Sequence, residues 1–186
     1  MLALVLIAPA TARLPAQTLA IHRAGDVLHV RAPSLTFIKG KALDRLEAGG
    51  SVRFDLALAV LSKPDGPVVV ETRQSFNVSY DLWEERFAVV RIGTPPSSIS
   101  HLTASDAEQW CLTRLTVAPA PLERRGPQAE FWIRLAYRVQ NGAGAPGADA
   151  GDKFSLRGLI DALSRRRGGD EETEALMHGG PFRLTD

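Results

Sequence analysis

Adjacent carboxylates at Glu84 and Glu85 invite an acid/base reading, because general catalysis needs two groups aimed at one bond. Neighbours on a strand point to opposite faces, and neighbours on a turn are both solvated, so this pair does not converge. The four histidines, His22, His29, His101 and His178, are scattered without H-x-H or H-x-x-x-H spacing. With no cysteine cluster beside them they offer no local metal site. His178-Gly179-Gly180 matches a fragment of a lipase oxyanion loop, but no G-x-S-x-G elbow occurs to use it. Gly142, Gly144 and Gly147 spell G-x-G-x-x-G. That pattern holds a pyrophosphate only where it turns a strand directly into a helix. Here Pro146 and a further Ala/Gly/Asp run follow, which is linker composition. No cofactor is expected.

Cys111 is the single cysteine, beside Trp110 in a helical pattern, and an isolated cysteine on an apolar face packs as a small hydrophobe. Among the three tryptophans, Trp110 is expected in the core. Trp132 falls on the same side of its strand as Arg134 and Arg138, and an aromatic beside two guanidinium groups makes a contact surface. Trp83 is a second aromatic candidate for binding. Arg165, Arg166 and Arg167 close a segment whose Leu156, Leu159, Ile160 and Leu163 form one apolar stripe. A docking helix has that form, on a partner or peripherally on a membrane, although cations at a helix C-terminus are favoured by the dipole alone. A hydrolase built from dispersed residues around His101 and Asp106 would need at least three polar groups converging in one cleft.

These residues require elements to position them. The run 52–60 places Val52, Phe54, Leu56, Leu58 and Val60 on one face, with Arg53 and Asp55 on the other. The run 130–140 alternates in the same way, with Phe131, Ile133, Leu135, Tyr137 and Val139 on its apolar face. Further strands are expected from Val68 towards Tyr80 and over 86–92, and a hairpin over 18–31 around Gly25. Helical spacing appears over 39–48 and over 105–115, the latter with Ser105 as N-cap and Glu108 at the capping-box position. The fold class is therefore α+β: an antiparallel β-sheet or β-sandwich with two short packed helices, plus a C-terminal amphipathic helix on a flexible linker.

The chain is 186 residues long, room for one domain with tails, and its net charge of +1 supplies no global field for nucleic acid. Leu2 to Ala8 form a short apolar run before Ala10-Thr11-Ala12, so residues 1–12 are expected to be a signal peptide cleaved after Ala12. The β-rich domain then occupies 18–140, a linker 141–152, the amphipathic helix 153–168 and a mobile tail 169–186. On this division the domain should fold without residues 141–186.

The segments GSVRFDLAL (50–58), FNVSYDLWEERFAV (76–89), LTASDAEQWCL (102–112) and FWIRLAYRV (131–139) occur in this order. In them the chain resembles the uncharacterised exported bacterial family catalogued as domain of unknown function 4390, over residues 19–139. The resemblance implies a periplasmic or membrane-facing protein with no assigned catalytic residue, so no functional site carries over. Taken together, the residues point to a non-catalytic envelope module that binds a protein or ligand. A periplasmic carrier of an apolar ligand is the second reading and the dispersed hydrolase the third.

Overall fold

The computed structural model describes residues 19–140 and 173–184. The segments expected as a signal peptide (1–12), a linker (141–152) and an amphipathic helix (153–168), with Leu156, Leu159, Ile160, Leu163 and Arg165 to Arg167, lie outside the described residues.

The chain opens with a hairpin, β1 (Ala20–Ala24) and β2 (Val27–Arg31), turned by Gly25 at φ +61°. Helix α1 (Lys41–Glu47) follows, then the longest continuous antiparallel run, β3 (Ser51–Leu61) with β4 (Val68–Asp81). Strands β5 (Arg86–Ile92) and β6 (Ser97–Leu102) precede helix α2 (Ala104–Thr113). A two-residue strand β7 (Thr116–Val117) and a short turn of helix α3 (Ala120–Glu123) lead to β8 (Phe131–Gln140), and β9 (Thr173–Phe182) closes the fold. Strands β6-β5-β4-β3-β8-β9 make a six-stranded sheet and β1-β2-β7 a three-stranded one, every pairing antiparallel. The protein is thus mostly antiparallel sheet with a few short helices, consistent with the α+β class.

Alternation in β3 and β8 carries the core. Val52, Phe54, Leu56, Leu58 and Val60 are buried, as are Phe131, Ile133, Leu135, Tyr137 and Val139. They join Leu28 and Val30 of the small sheet and Cys111, Leu112 and Leu115 from α2 and its end in one apolar cluster. Each such side chain stabilises the fold by about 1.5–3 kcal/mol when fully buried. Phe37 seats on this layer with its ring 5.0 Å from Phe54 and 5.7 Å from Tyr137.

The expected tail is corrected by β9. Thr173–Phe182 pairs along β8 from Val139↔Thr173 to Phe131↔Phe182, and Met177 is buried. The stretch is short in apolar residues and contains Gly179-Gly180-Pro181, so its periodicity is weak. The ladder breaks between Phe131 and Ile133, opposite those glycines. A Cβ at Gly179 would stand 2.6 Å from the Leu19 carbonyl oxygen, so a bare backbone is required where β9 meets the chain entering β1. His178-Gly179-Gly180 is therefore strand rather than an anion-binding loop. Strand β6 likewise has no clear sequence pattern. Its SSISHL run has only Ile99 and Leu102 to pack, and backbone pairing to β5 holds it.

Helix α2 is capped two residues before Ser105, by Thr103. The Thr103 hydroxyl accepts from the Asp106 backbone N–H at 3.2 Å and donates to the Asp106 carboxylate at 2.7 Å. The residue three places after the cap is then Asp106, not Glu108. Replacing Thr103 by alanine is expected to cost about 1 kcal/mol in chemical denaturation, whereas Ser105→Ala, on an exposed position, changes stability by less than about 0.5 kcal/mol. Equal losses from the two variants would put the cap back at Ser105. Moving the start turns Glu108, Cys111, Leu112 and Leu115 into one buried stripe.

Candidate functional site on the open face of the sheet

The face of β3 opposite the core presents Arg53, Asp55, Ala57 and Ala59, and the strand register ranks its neighbours in rows. Arg53 lies between Asn77 of β4 and Gln140 of β8, and Asp55 between Ser75 and Arg138. Ala57 lies between Arg73 and Ala136, and Ala59 between Glu71 and Arg134. Central strand positions normally carry large side chains; three alanines in neighbouring places leave a depression. The depression is a hollow of about 570 Å³ open to solvent, with Arg53, Asp55, Glu71, Arg73, Arg134 and Arg138 around the alanine floor.

Most of this charge is matched locally. Arg53 donates to the Asp55 carboxylate at 3.0 Å and to the Ser75 hydroxyl at 3.1 Å, and Gln140 donates to the other Asp55 oxygen at 2.7 Å. Arg73 pairs with Glu71 at 2.7 Å, which favours the charged guanidinium further. Arg134 differs: it is half-buried, and among the described residues it has no hydrogen bond or ion pair. Two of the residues singled out in the sequence, Arg134 and Arg138, thus line one hollow, and the register adds Arg53, Asp55, Glu71 and Arg73. Sequence alternation puts all of these on a polar face, but only the pairing of β4, β3 and β8 sets them side by side.

Trp132 and Trp83 are placed apart. Trp132 pairs with Leu61 at one end of β3 and lines a separate hollow of about 410 Å³ with His178, Gly179 and Gly180. Trp83 is 96% exposed at the β4–β5 hairpin tip, beyond the other end of β3, so roughly 30 Å of strand separates the two. At that tip the Asp81 carboxylate accepts from the Trp83 and Glu84 backbone N–H groups at 2.8 and 3.1 Å, which holds its pKa below the ordinary carboxylate value. Glu84 reaches His101 at 2.9 Å, and the other His101 nitrogen meets the Ser100 hydroxyl at 2.9 Å. This Ser–His–carboxylate string stands in open solvent, with side chains 69% and 53% exposed at His101 and Glu84, so even with a charged imidazole the contact is worth about 0–1 kcal/mol. Asp106 does not join it; its carboxylate is held by Thr103. The string pins the hairpin to the end of β6.

No protein-family model matches the chain, and no curated protein or solved structure matches it.

Elsewhere, His22 and His29 face each other across β1 and β2 with stacked rings 5.4 Å apart. Burial first, then the Arg31 charge and His29, lowers the His22 pKa. No group of three His, Cys, Asp or Glu residues suited to a metal ion occurs among the described residues. Burial pushes the Cys111 thiol far above its usual range, followed by the charge of Glu108, so the thiolate that a nucleophile needs is disfavoured. Glu108, expected as a capping-box residue, instead reaches across the fold: its carboxylate accepts from the Phe37 and Ile38 backbone N–H groups at 2.6 and 2.7 Å. The available signal was its spacing from Cys111, Leu112 and Leu115, which puts it on the apolar stripe.

Proposed function

We propose that the protein is an exported, non-catalytic binding module, kin to the domain of unknown function 4390 family, that engages its target on the open face of β4, β3 and β8. The observation that supports this is the alanine-floored hollow with half-buried Arg134 at its side, in the middle of the sheet rather than at its rim. Specific sites are concave and fix orientation with placed polar groups, and this hollow is concave, with charged side chains set around a small alanine floor. The two sheets act as a sandwich whose filled interior, with Phe37, Phe54, Phe76 and Phe131 fully buried, leaves binding to the outside. An apolar ligand held between sheet and helices would have to displace those rings, so the carrier reading ranks second.

Two measurements test the proposal. The full chain is expressed in a bacterium, fractionated, and its N-terminus read by mass spectrometry. A periplasmic species beginning at Arg13 is expected, and an intact N-terminus in the cytoplasm overturns export. A photo-reactive residue at Ala57 should give a discrete cross-linked product that vanishes when Ala136→Glu fills the floor. Cross-links that ignore the Ala136 substitution overturn the assignment of the face.

A further inference from the structure

We propose that the hollow on the open face binds a small, ring-sized organic monocarboxylate, with its carboxylate on Arg134 and its apolar body on Ala57, Ala59 and Ala136. The proposal rests on the binding-module reading and names the ligand class of that same face.

Arg53 and Arg73 have carboxylate partners in Asp55 and Glu71, whereas Arg134 has none among the described residues. A guanidinium offers five N–H donors in a planar fork that fits a carboxylate two bonds at a time. Half-buried beside an apolar floor, it gains more from such a partner than a fully solvated arginine does. Asp55 and Glu71 in the same wall repel a second negative group, so a monoanion suits the site better than a dianion.

The shape of the floor fixes the body of the ligand. Ala57 and Ala136 pair across neighbouring strands about 5 Å apart, and Ala59, itself buried, continues the floor about 7 Å along β3 towards Arg134. That floor matches one six-membered ring or a short branched chain. The Arg53–Asp55 pair closes one end, so a long acyl chain runs onto charge instead of alanine. With Ala59 paired to Arg134 and Ala57 to Ala136, a ring over the alanines carries its carboxylate over the guanidinium.

The test is an amide-resolved NMR titration of the full chain with benzoate and cyclohexanecarboxylate as probes, inorganic phosphate and anionic phosphatidylglycerol vesicles being the alternative sources of negative charge. Benzoate should shift the amides of Ala57, Ala59, Arg134 and Ala136 saturably, with a Kd of about 1 mM, as expected for so few atoms. Arg134→Gln should weaken binding at least roughly tenfold, and Arg134→Lys, which keeps the charge without the fork, should fall between. Ala57→Leu should abolish binding with Arg134 intact. Retained amide dispersion shows that each variant is folded, and the wild-type titration stands without them. No saturable shift up to about 20 mM benzoate overturns the proposal, as does equal benzoate affinity in Arg134→Gln. Phosphate or vesicles moving the same amides as strongly as benzoate overturns it too, by showing that charge alone is read. If benzoate fails while the Ala57 cross-link persists and remains sensitive to Ala136→Glu, the ligand class falls and the module stands. Loss of both removes the module.

Discussion

Replacing Glu108 with alanine is expected to lower the stability of the domain by about 2–6 kcal/mol, because it strips the acceptor from two buried backbone N–H groups at about 1–3 kcal/mol each. Both bonds are short, 2.6 Å from Phe37 and 2.7 Å from Ile38, and they tie the segment before α1 to the buried stripe of α2. Phe37 packs on Phe54 and Tyr137, so releasing it loosens the core beyond the lost bonds. A fall in Tm of roughly 10 °C should accompany the loss, with new proteolytic sensitivity between Leu35 and Gly40. A change under about 1 kcal/mol in urea denaturation would mean that water or a rearranged backbone satisfies the two groups.

Glu108→Gln separates the hydrogen bonds from the charge. Burial raises the Glu108 pKa, and the Phe37 and Ile38 bonds with the nearby Lys39 charge only partly oppose it. The folded protein therefore binds the Glu108 proton more tightly than the unfolded chain does. The stability from this group is complete below the ordinary value of 4.5 and is lost as pH rises through the raised native value. Glutamine keeps an acceptor oxygen and cannot ionise. Its stability relative to wild type should improve from about pH 4 to about pH 8, while alanine stays destabilised throughout. A difference between wild type and Glu108→Gln that is flat with pH would refute the raised value.

Ending the chain at Gln140 is expected to cost about 4–8 kcal/mol and to make the protein aggregate. The loss removes the whole β9 ladder, buried Met177, the Phe131–Phe182 ring contact at 5.8 Å and the Arg183–Glu130 pair. It also converts β8 into a bare edge whose apolar residues alternate for its full length, a template for strand addition. Joining residue 140 to residue 172 through a two-residue Asn-Gly turn should instead leave Tm within about 5 °C of wild type. Val139 pairs with Thr173 at this end of the ladder, the spacing that a two-residue turn between 140 and 172 would carry on. Size-exclusion chromatography and thermal denaturation distinguish the two shortened chains. A monomeric, cooperatively unfolding chain ending at Gln140 would show that β9 is dispensable.

The contrast between those two chains marks where sequence patterning stopped being informative. Strands β3, β5 and β8, most of β4, the β1–β2 hairpin and both longer helices were legible, because each has a strong period and a turn with its own chemistry at the end. Pro64-Asp65-Gly66 is such a turn, with the Gly66 N–H donating to the Lys63 carbonyl at 3.0 Å. Strands β6 and β9 have weak periods and exist through backbone pairing to an already formed neighbour, which no local pattern encodes. The same holds for the open face. Alternation put Arg134, Arg138, Arg53 and Asp55 away from the core, since burying such groups unpaired is costly. It did not say which of them would be neighbours.

By itself, then, the sequence determined an α+β chain of alternating strands, a cysteine that packs instead of reacting, and the sides of the strands on which charge must lie. These follow from local periodicity and the cost of desolvating charge, which act within a few residues. The tertiary structure alone decided that Glu108 is a buried tether, that β9 completes the sheet, and that three alanines meet beside Arg134, which is unmatched among the described residues. Those depend on register between strands distant in the chain, where shifting the pairing by one residue would turn every side chain to the other face.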